Sequence, residues 1–503
     1  MSAAAPAWLA QRGLLYALLN GVFTLIVVTA SMAGPAASPR SLYLCLLMAL
    51  SSMPLLWLRE INGRYSLLCA FFVAYLFFYG SADLVSLFNG IPASTSQGVI
   101  SSAELGVLLG GAMAILGYRL ALAQRAQRLP TDAPRDWPMS LIVAAGLATW
   151  VLGTGAVWIW QVQLQTSATS MSKDFSDSAL LALVFARMLQ PLGTIMLAYA
   201  LIATRSRPLL LLIVGLMCVQ VFVGFVGDSK ETAMRGMIIL VMAGLLIQGR
   251  VKKGWFLGIV LFAVVAFPVF QGYRAEVMHQ RGMSRAAAAA DFLTSLKRAW
   301  QAKDKVNDRS TYTEAYAAPS FIERSALKPT FERFVQETGG KVEYQNGYTM
   351  WLFFTGFVPR MIWPDKPDSS VGQLVNHEFH VSDDEKTYIS STHLGELYWN
   401  FGWPGVVLGM LALGFLLGFI NARCDLSERA TLTRLLILIT TIYATIVRFE
   451  GSIALEYIVF VRSLVIIGVL HLLFARVPVP VKEGEAEVPG PRAPLIRAPQ
   501  LMR

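Results

Sequence analysis

Between Trp351 and Gly405 the chain reads WLFFTGFVPRMIWPDKPDSS and, further on, STHLGELYWNFGWPG, a stretch rich in cations, acids and aromatic residues set among long apolar runs. Guanidinium and ammonium groups hold phosphate. Flat aromatic faces suit stacking on sugar rings. An imidazole or carboxylate within hydrogen-bond reach takes a proton from a hydroxyl. Together these are the groups that would grip a phosphorylated, sugar-bearing lipid. In VPRMIWPDKP (358–367), Pro359, Pro364 and Pro367 stiffen the backbone and fix where Arg360 and Lys366 point, while Trp363 offers a stacking face. A purely structural proline-rich turn is the alternative. His393 and Glu396 stand at i, i+3 and share one face of a helix, with Tyr398, Trp399 and Trp403 as an aromatic collar. Either His393 or Glu396 is then a candidate base; an interfacial aromatic belt with a capping cluster is the other reading.

Further cations lie where they demand an explanation, because ionisable groups in or at the edge of a membrane are costly. Arg187 sits inside the apolar stretch LALVFARMLQPLG. It either points into an internal cavity and holds an anion or pairs with a buried carboxylate such as Asp83 or Glu104. GDSKETAMRG (227–236) reads as a tight connection in which Lys230 and Arg235 bind phosphate, with Arg235 opening the next helix, or as a solvated loop with local ion pairs. Helix starts favour anions. Arg274 in GYRAE follows directly on a span and is a phosphate ligand or an interfacial anchor. Arg448 occupies a very short turn with Glu450, and Glu456 lies just inside the following span; Arg448 is a second phosphate ligand, or is neutralised locally. Arg462 lies deep in the last span and calls for a partner.

The elements that must position these groups are membrane helices. The chain of 503 residues is 55% hydrophobic and only 15% charged, with mean hydropathy +0.54, whereas soluble chains carry about 25% charged residues. Apolar runs of about 18 residues or more, long enough for a bilayer core of about 30 Å, recur along it. The expectation is an all-α polytopic membrane protein with about twelve spans near 14–33, 41–58, 65–88, 100–122, 139–162, 179–203, 208–226, 236–249, 255–271, 396–420, 432–447 and 455–474. The short alternating segments of a β-barrel are missing from this pattern. The first run is too long for a signal-peptide core and is expected to remain as a span.

Arg12, Arg59 with Arg64, the Arg119–Arg135 group, Arg205 with Arg207, Arg250 with Lys252 and Lys253, and Arg423, Arg429 and Arg434 fall on alternate connections. The positive-inside rule places them, and both termini, in the cytoplasm. The organisation that follows is an N-terminal bundle of about nine spans (1–271), an outer loop domain (272–395), C-terminal spans (396–476) and a disordered cytoplasmic tail (477–503). In the loop, 284–306 reads as an amphipathic helix with Phe292, Leu296 and Trp300 on one face. The segment 346–363, interrupted by Gly356 and Pro359, reads as a re-entrant or interfacial helix, since a full span would invert everything after it.

Several classes are set aside. The net charge of +10 is dispersed over short loops, so nucleic acid is not an expected partner. Cys45, Cys69, Cys218 and Cys424 are scattered without metal or disulfide spacing, and the five histidines have no metal-site pattern. No phosphate-loop, HExxH or GxSxG motif occurs. A transporter would need helices broken at corresponding places in two halves, and no internal repeat is visible. A non-catalytic scaffold has no use for Arg187 within the membrane.

YQNGYTMWLFF, VPRMIWPDKP and STHLGELYWNFGWPGVVLG resemble the outer loop and next span of bacterial Wzy-type polymerases, which join the repeat units of O-antigen and exopolysaccharide. The resemblance covers about 60 residues. It implies a glycosyltransferase of the GT-C type with no cofactor and no metal. Donor and acceptor would be oligosaccharides on undecaprenyl diphosphate at the outer face of the inner membrane. Membrane lipids would surround it, and a chain-length-regulating membrane protein is an open partner. Arg187, Lys230, Arg235, Arg274, Arg360, Lys366 and Arg448 would bind the diphosphate, His393 or Glu396 would deprotonate the acceptor, and Trp363, Tyr398 and Trp399 would hold sugar. Related O-antigen ligases, which pass the glycan to another lipid, place a polar residue after the His, where this chain has Leu394.

Overall fold

The computed structural model describes residues 7–32, 38–57, 66–88, 100–123, 135–164, 177–227, 229–248, 253–273, 285–302, 325–359, 362–367, 370–382, 388–424, 426, 431–475 and 477–478. Helices α1 (Ala7–Met32), α2 (Ser38–Ser52), α3 (Leu67–Phe88), α4 (Ser102–Ala123), α5 (Met139–Trp158), α6 (Asp177–Thr204), α7 (Arg207–Val226), α8 (Lys230–Gln248) and α9 (Lys253–Gly272) form the first part. Then come the short helices α10 (Arg285–Ala290), α11 (Phe292–Ala302), α12 (Lys328–Glu337), α13 (Tyr348–Phe357) and α14 (Val371–Phe379), followed by α15 (His393–Arg423), α16 (Leu432–Ile442) and α17 (Ile453–Phe474). Eight described helices, α3 to α8, α15 and α17, are long and apolar enough to cross a bilayer, and Leu15–Thr29, Arg40–Leu56 and Leu432–Val447 are shorter apolar helices. This is an all-α membrane protein.

Close backbone contact holds the long helices together. A Cβ on Gly117 would lie 2.0 Å from the Leu411 carbonyl oxygen, and one on Gly414 would lie 2.0 Å from that of Ala114. Only hydrogen at both positions lets α4 and α15 meet, the small-residue logic of helix pairs in lipid. Within α15, Gly402 adopts φ 62°, ψ −148°, and Pro404 follows. The helix is therefore two segments meeting at a kink, since proline cannot donate to the turn before it.

On the side where α9 ends and α15 begins, α12, α13 and α14 gather around Phe334, Val375, Phe379 and Trp399 in a small core that also includes Ala454 of α17. Helix α13 is ten residues long, about 15 Å, and cannot cross a core of about 30 Å. Leu352 is buried, while Trp351, Phe354 and Phe357 are exposed apolar side chains. The expected amphipathic helix at 284–306 is two helices, divided at Asp291. Its buried face is Phe292, Ser295, Leu296 and Ala299, with Phe270 and Tyr273 in the same cluster, whereas Leu293 and Trp300 are exposed. Trp300 thus leaves the face assigned to it because a helix drifts off i+8. At the opposite side, Arg135–Asp136 pairs antiparallel with Val477–Pro478, so the tail's first two residues are ordered against the bundle.

Buried charge fastens the loop domain to the bundle. Lys328 at the start of α12 donates to Asp83 of α3 at 2.8 Å and to Glu104 of α4 at 2.6 Å, and Arg40 reaches Asp83 at 3.2 Å. The Lys328 ammonium also lies 4.7 Å from the Tyr43 ring centroid. Burial pulls this ammonium down, but Asp83 and Glu104 more than offset that and hold it above the ordinary lysine range. Its contribution to stability is therefore complete below the unfolded value of about 10.4 and is lost only as pH rises through the higher folded value. Lys328→Met takes away the only cation paired with Glu104 among the described residues and leaves Asp83 with Arg40 alone, and is expected to cost about 3–5 kcal/mol. Thermal unfolding in detergent at pH 7 checks this; an unchanged Tm would show that the cluster does not hold the domain.

Candidate functional site: an arginine-lined cavity

A cavity of about 270 Å³ opens among the ends of α5, α6, α8, α16 and α17 nearest the loop domain. Three arginines line it: Arg187 from α6, Arg235 from α8 and Arg448 from the turn after α16. Their sequence positions are far apart. Three local features bring them together.

First, Ser229 caps α8 by accepting the Thr232 N–H at 3.2 Å. The helix therefore starts at Lys230, not at Arg235 as the sequence suggested, and the residues read as a connection are its first turns. Arg235 thus points from a regular helix into the bundle instead of sitting at a free N-terminus. Second, α5 and α16 each finish in a π-helical turn, Ile159–Leu164 and Tyr443–Val447. Such turns carry an extra residue and frequently mark functional sites; here they aim Trp160 and Tyr443 at the cavity. Third, Pro191 lies inside α6, four residues after Arg187. It removes the hydrogen bond to the Arg187 carbonyl and loosens the helix at that point.

The charges form a chain. Arg235 donates to Glu231 at 2.7 Å, and the other Glu231 oxygen accepts from Arg448 at 2.8 Å. Arg448 also donates to both oxygens of Glu456, at 3.1 and 2.9 Å. The Tyr443 hydroxyl donates to Glu231 in a short hydrogen bond and accepts from Arg235 Nε at 3.2 Å. Arg235 further reaches Gln190 at 3.4 Å. Arg187 differs. Its guanidinium lies 4.2 Å from the Trp160 ring centroid, and it makes no hydrogen bond or ion pair among the described residues. Three cations thus face two carboxylates, leaving one guanidinium stacked but not neutralised. Asp83 and Glu104, the partners first considered for Arg187, are taken by Lys328.

His393 and Glu396 lie outside the cavity lining and act as a brace. The buried His393 ring stacks on Phe449 at 4.5 Å, and its Nδ1 meets the Phe449 carbonyl at 2.7 Å. The Glu396 carboxylate is 0% exposed. It accepts from Ser391 at 3.1 Å, Ser452 at 3.3 Å and the Ile453 N–H at 2.8 Å. It therefore satisfies an open donor at the start of α17. Backbone bonds from Thr392 to Glu450 and from His393 to Phe449 complete the clamp. All of these contacts grip the turn that carries Arg448. Asn400 extends the brace, accepting the Gly347 N–H at 3.1 Å and donating to Thr349 at 2.6 Å.

The remaining expected site residues are dispersed. Trp399 is fully buried and donates to the Glu343 carbonyl at 3.1 Å. Tyr398 packs against Trp403, Phe331 and Tyr344. Lys366 donates to the Val358 carbonyl at 2.8 Å, closing the proline-rich turn, and Trp363 is partly exposed nearby. Lys230 opens α8 without lining the cavity. Arg274 and Arg360 lie outside the described residues. Arg462 finds its partner in the Gly356 carbonyl, 2.6 Å away at the end of α13. Among the described residues no three His, Cys, Asp or Glu side chains cluster to hold a metal ion. Sequence reading missed Trp160, Gln190 and Tyr443; Gln190-Pro191 inside an apolar helix was the one available signal.

The family described as Domain of unknown function (DUF8712) matches residues 154–476, more than half of the chain. The chain belongs to this family. No curated protein and no solved structure matches it. Every residue lining the cavity falls inside the DUF8712 region, as does the whole brace.

The brace is testable without knowing a substrate. Glu396→Ala strands buried donors at about 1–3 kcal/mol each. It should lower Tm and speed hydrogen exchange at Phe449–Ile453, with Glu396→Gln recovering part of both. Unchanged exchange there would remove Glu396 from the positioning of Arg448.

Proposed function

We propose that this protein is a GT-C-type glycosyltransferase of the bacterial inner membrane, with about twelve spans, both termini cytoplasmic and the cavity facing the periplasm. It joins oligosaccharide repeat units carried on undecaprenyl diphosphate, in O-antigen, capsule or exopolysaccharide synthesis. The observation that carries this reading is Arg187, a guanidinium held within the membrane beside two others and left without a carboxylate. Such a group is expensive to keep there, and an anionic ligand would repay the cost. The diphosphate fits three converging guanidinium forks.

The bond between the donor's anomeric carbon and the diphosphate oxygen breaks, and the electron pair leaves with the diphosphate. An acceptor hydroxyl forms the new glycosidic bond and gives its proton to a base. Arg187, Arg235 and Arg448 meet charge as it develops on the leaving group, which is electrostatic stabilisation by groups already in place.

Two variants separate binding from folding. Arg187→Ala removes no ion pair and should leave Tm unchanged while cutting turnover about 10²–10³-fold. Arg235→Ala strips a partner from Glu231 and should lower both. Purified protein in nanodiscs, given labelled lipid-linked repeat units, is expected to give a ladder of lengthening products on a gel. An intact substrate with folded protein would count against polymerisation, and product appearing only with a second lipid acceptor would indicate a ligase. Wild-type turnover in Arg187→Ala would sink the assignment of the cavity.

A further inference from the structure

Arg462, like Arg187, lies within a membrane-spanning helix and faces no carboxylate among the described residues. It stands in α17 about 13 Å along the axis from Ile453. Helical side chains lean toward the N-terminus of their helix, so the guanidinium reaches back toward the loop domain. There Nη2 donates to the Gly356 carbonyl at 2.6 Å, at the end of α13. A Cβ on Gly356 would lie 2.1 Å from Ile458 Cδ1, so α13 lies directly against this turn of α17. The rings of Phe185 in α6 and Phe357 in α13 have centroids 5.4 and 5.8 Å from the guanidinium carbon. The Gly356 carbonyl is the only hydrogen-bond partner of the Arg462 side chain among the described residues, and its Nε is buried with none.

This guanidinium is on the lipid side of the bundle. Val465 and Val469, at i+3 and i+7, share its helix face and are 57% and 50% exposed. An exposed apolar stripe on a spanning helix is the side that meets lipid. Arg462 is half-buried at the end of that stripe nearest the loop domain, and Phe185 and Phe357 beside it are both partly exposed. The next residue, Ser463, lines the arginine cavity, and Phe185 is one helical step from Arg187. Arg462 therefore stands outside the wall whose inner side carries Arg187. A lipid phosphate in the adjoining leaflet reaches such a position more readily than a water-borne anion does. Basic pockets between spans hold lipid head groups, and guanidinium forks match phosphate.

We infer that Arg462, flanked by Phe185 and Phe357, binds the diphosphate of the acceptor lipid while the cavity arginines hold that of the donor. The inference rests on the glycosyl-transfer reading above, in which two lipid-linked units meet and both bring a diphosphate. Only the donor's diphosphate departs, so only that one needs the enclosed cavity where leaving-group charge is met. The acceptor's diphosphate stays bonded to its own sugar and lipid throughout, and none of its bonds forms or breaks. It needs a cation that holds the head group and leaves the hydrocarbon tail in the bilayer. A lipid-facing guanidinium held at the end of α13 meets both demands.

The test sets two acceptors against each other in one reaction: lipid-linked repeat units extracted from cells lacking the gene, which also serve as donor, and the same glycan on an octyl group, which carries no phosphate. Both products draw on one donor, so their ratio reports acceptor preference alone, whatever fraction of the protein is folded. Arg462→Gln keeps an N–H for the Gly356 carbonyl and removes the charge. It should lower the ratio of lipid-linked to octyl-linked product about 10- to 100-fold, the worth of a hydrogen bond to a charged group, with Arg462→Lys recovering part. Transfer with an unchanged ratio in Arg462→Gln would overturn the acceptor site and leave glycosyl transfer standing. Binding of radiolabelled undecaprenyl diphosphate to the protein in phosphatidylcholine nanodiscs, read without turnover, should give two lipids per wild-type protein and one in Arg462→Gln or Arg187→Ala. That pattern with no transfer by the wild-type protein would uphold a second lipid-phosphate site and overturn glycosyl transfer. Loss of the second label when phosphatidylglycerol is added would assign Arg462 to bulk anionic phospholipid and overturn its assignment to the acceptor.

Discussion

The structure turns on Arg448 and its two carboxylates. In a low-dielectric interior a guanidinium without a partner is costly, and Arg448 is shared between Glu231 of α8 and Glu456 of α17. Through Glu231 the chain continues to Arg235 and Tyr443, so α8, α16, α17 and the turn between the last two are tied at one point. Moving any one of these helices exposes a charge to lipid or leaves it alone in a cavity. The geometry of the cavity is therefore set by electrostatics more than by apolar packing, which in lipid offers little preference for one helix arrangement over another.

The brace beneath this network explains the best-defined motif of the chain. Gly395 faces the Phe334 ring with no room for a Cβ, Glu396 caps α17, Asn400 ties down the start of α13, and Gly402 supplies a left-handed kink. Each residue type answers a local demand of the backbone. A motif of this kind need not touch a substrate in order to matter to it; it decides where Arg448 stands.

The helical class and the positions of the long apolar helices were legible because burial in lipid imposes long apolar runs, and those survive in composition. The burden on Arg187 was legible for the same reason, since a cation in LALVFARMLQPLG stands out against its neighbours. Partner choice was not legible. Lys328 is an ordinary residue in an ordinary loop by sequence, yet it takes both carboxylates that seemed available to Arg187. Tyr443 looks like a helix residue among others until the π-turn rotates it toward Arg235. The start of α8 was misplaced because Ser229 caps it within a charged stretch that reads as loop. His393 and Glu396 have the residue types of an acid–base pair, and sequence could not show that their side chains also pack against Phe449 and cap the N-terminus of α17.

The π-turns at the ends of α5 and α16 have a consequence for how this chain tolerates change in length. Each accommodates one residue more than an α-helical turn would hold. Loss of a single residue from Tyr443–Val447 would leave a sound helix of similar hydropathy. It would also shift the phase of everything after it by about 100°, carrying Arg448 away from Glu231 without altering one side chain of the site. Function in this fold is thus more exposed to single-residue deletions at those two turns than to most substitutions on the surrounding lipid-facing surface.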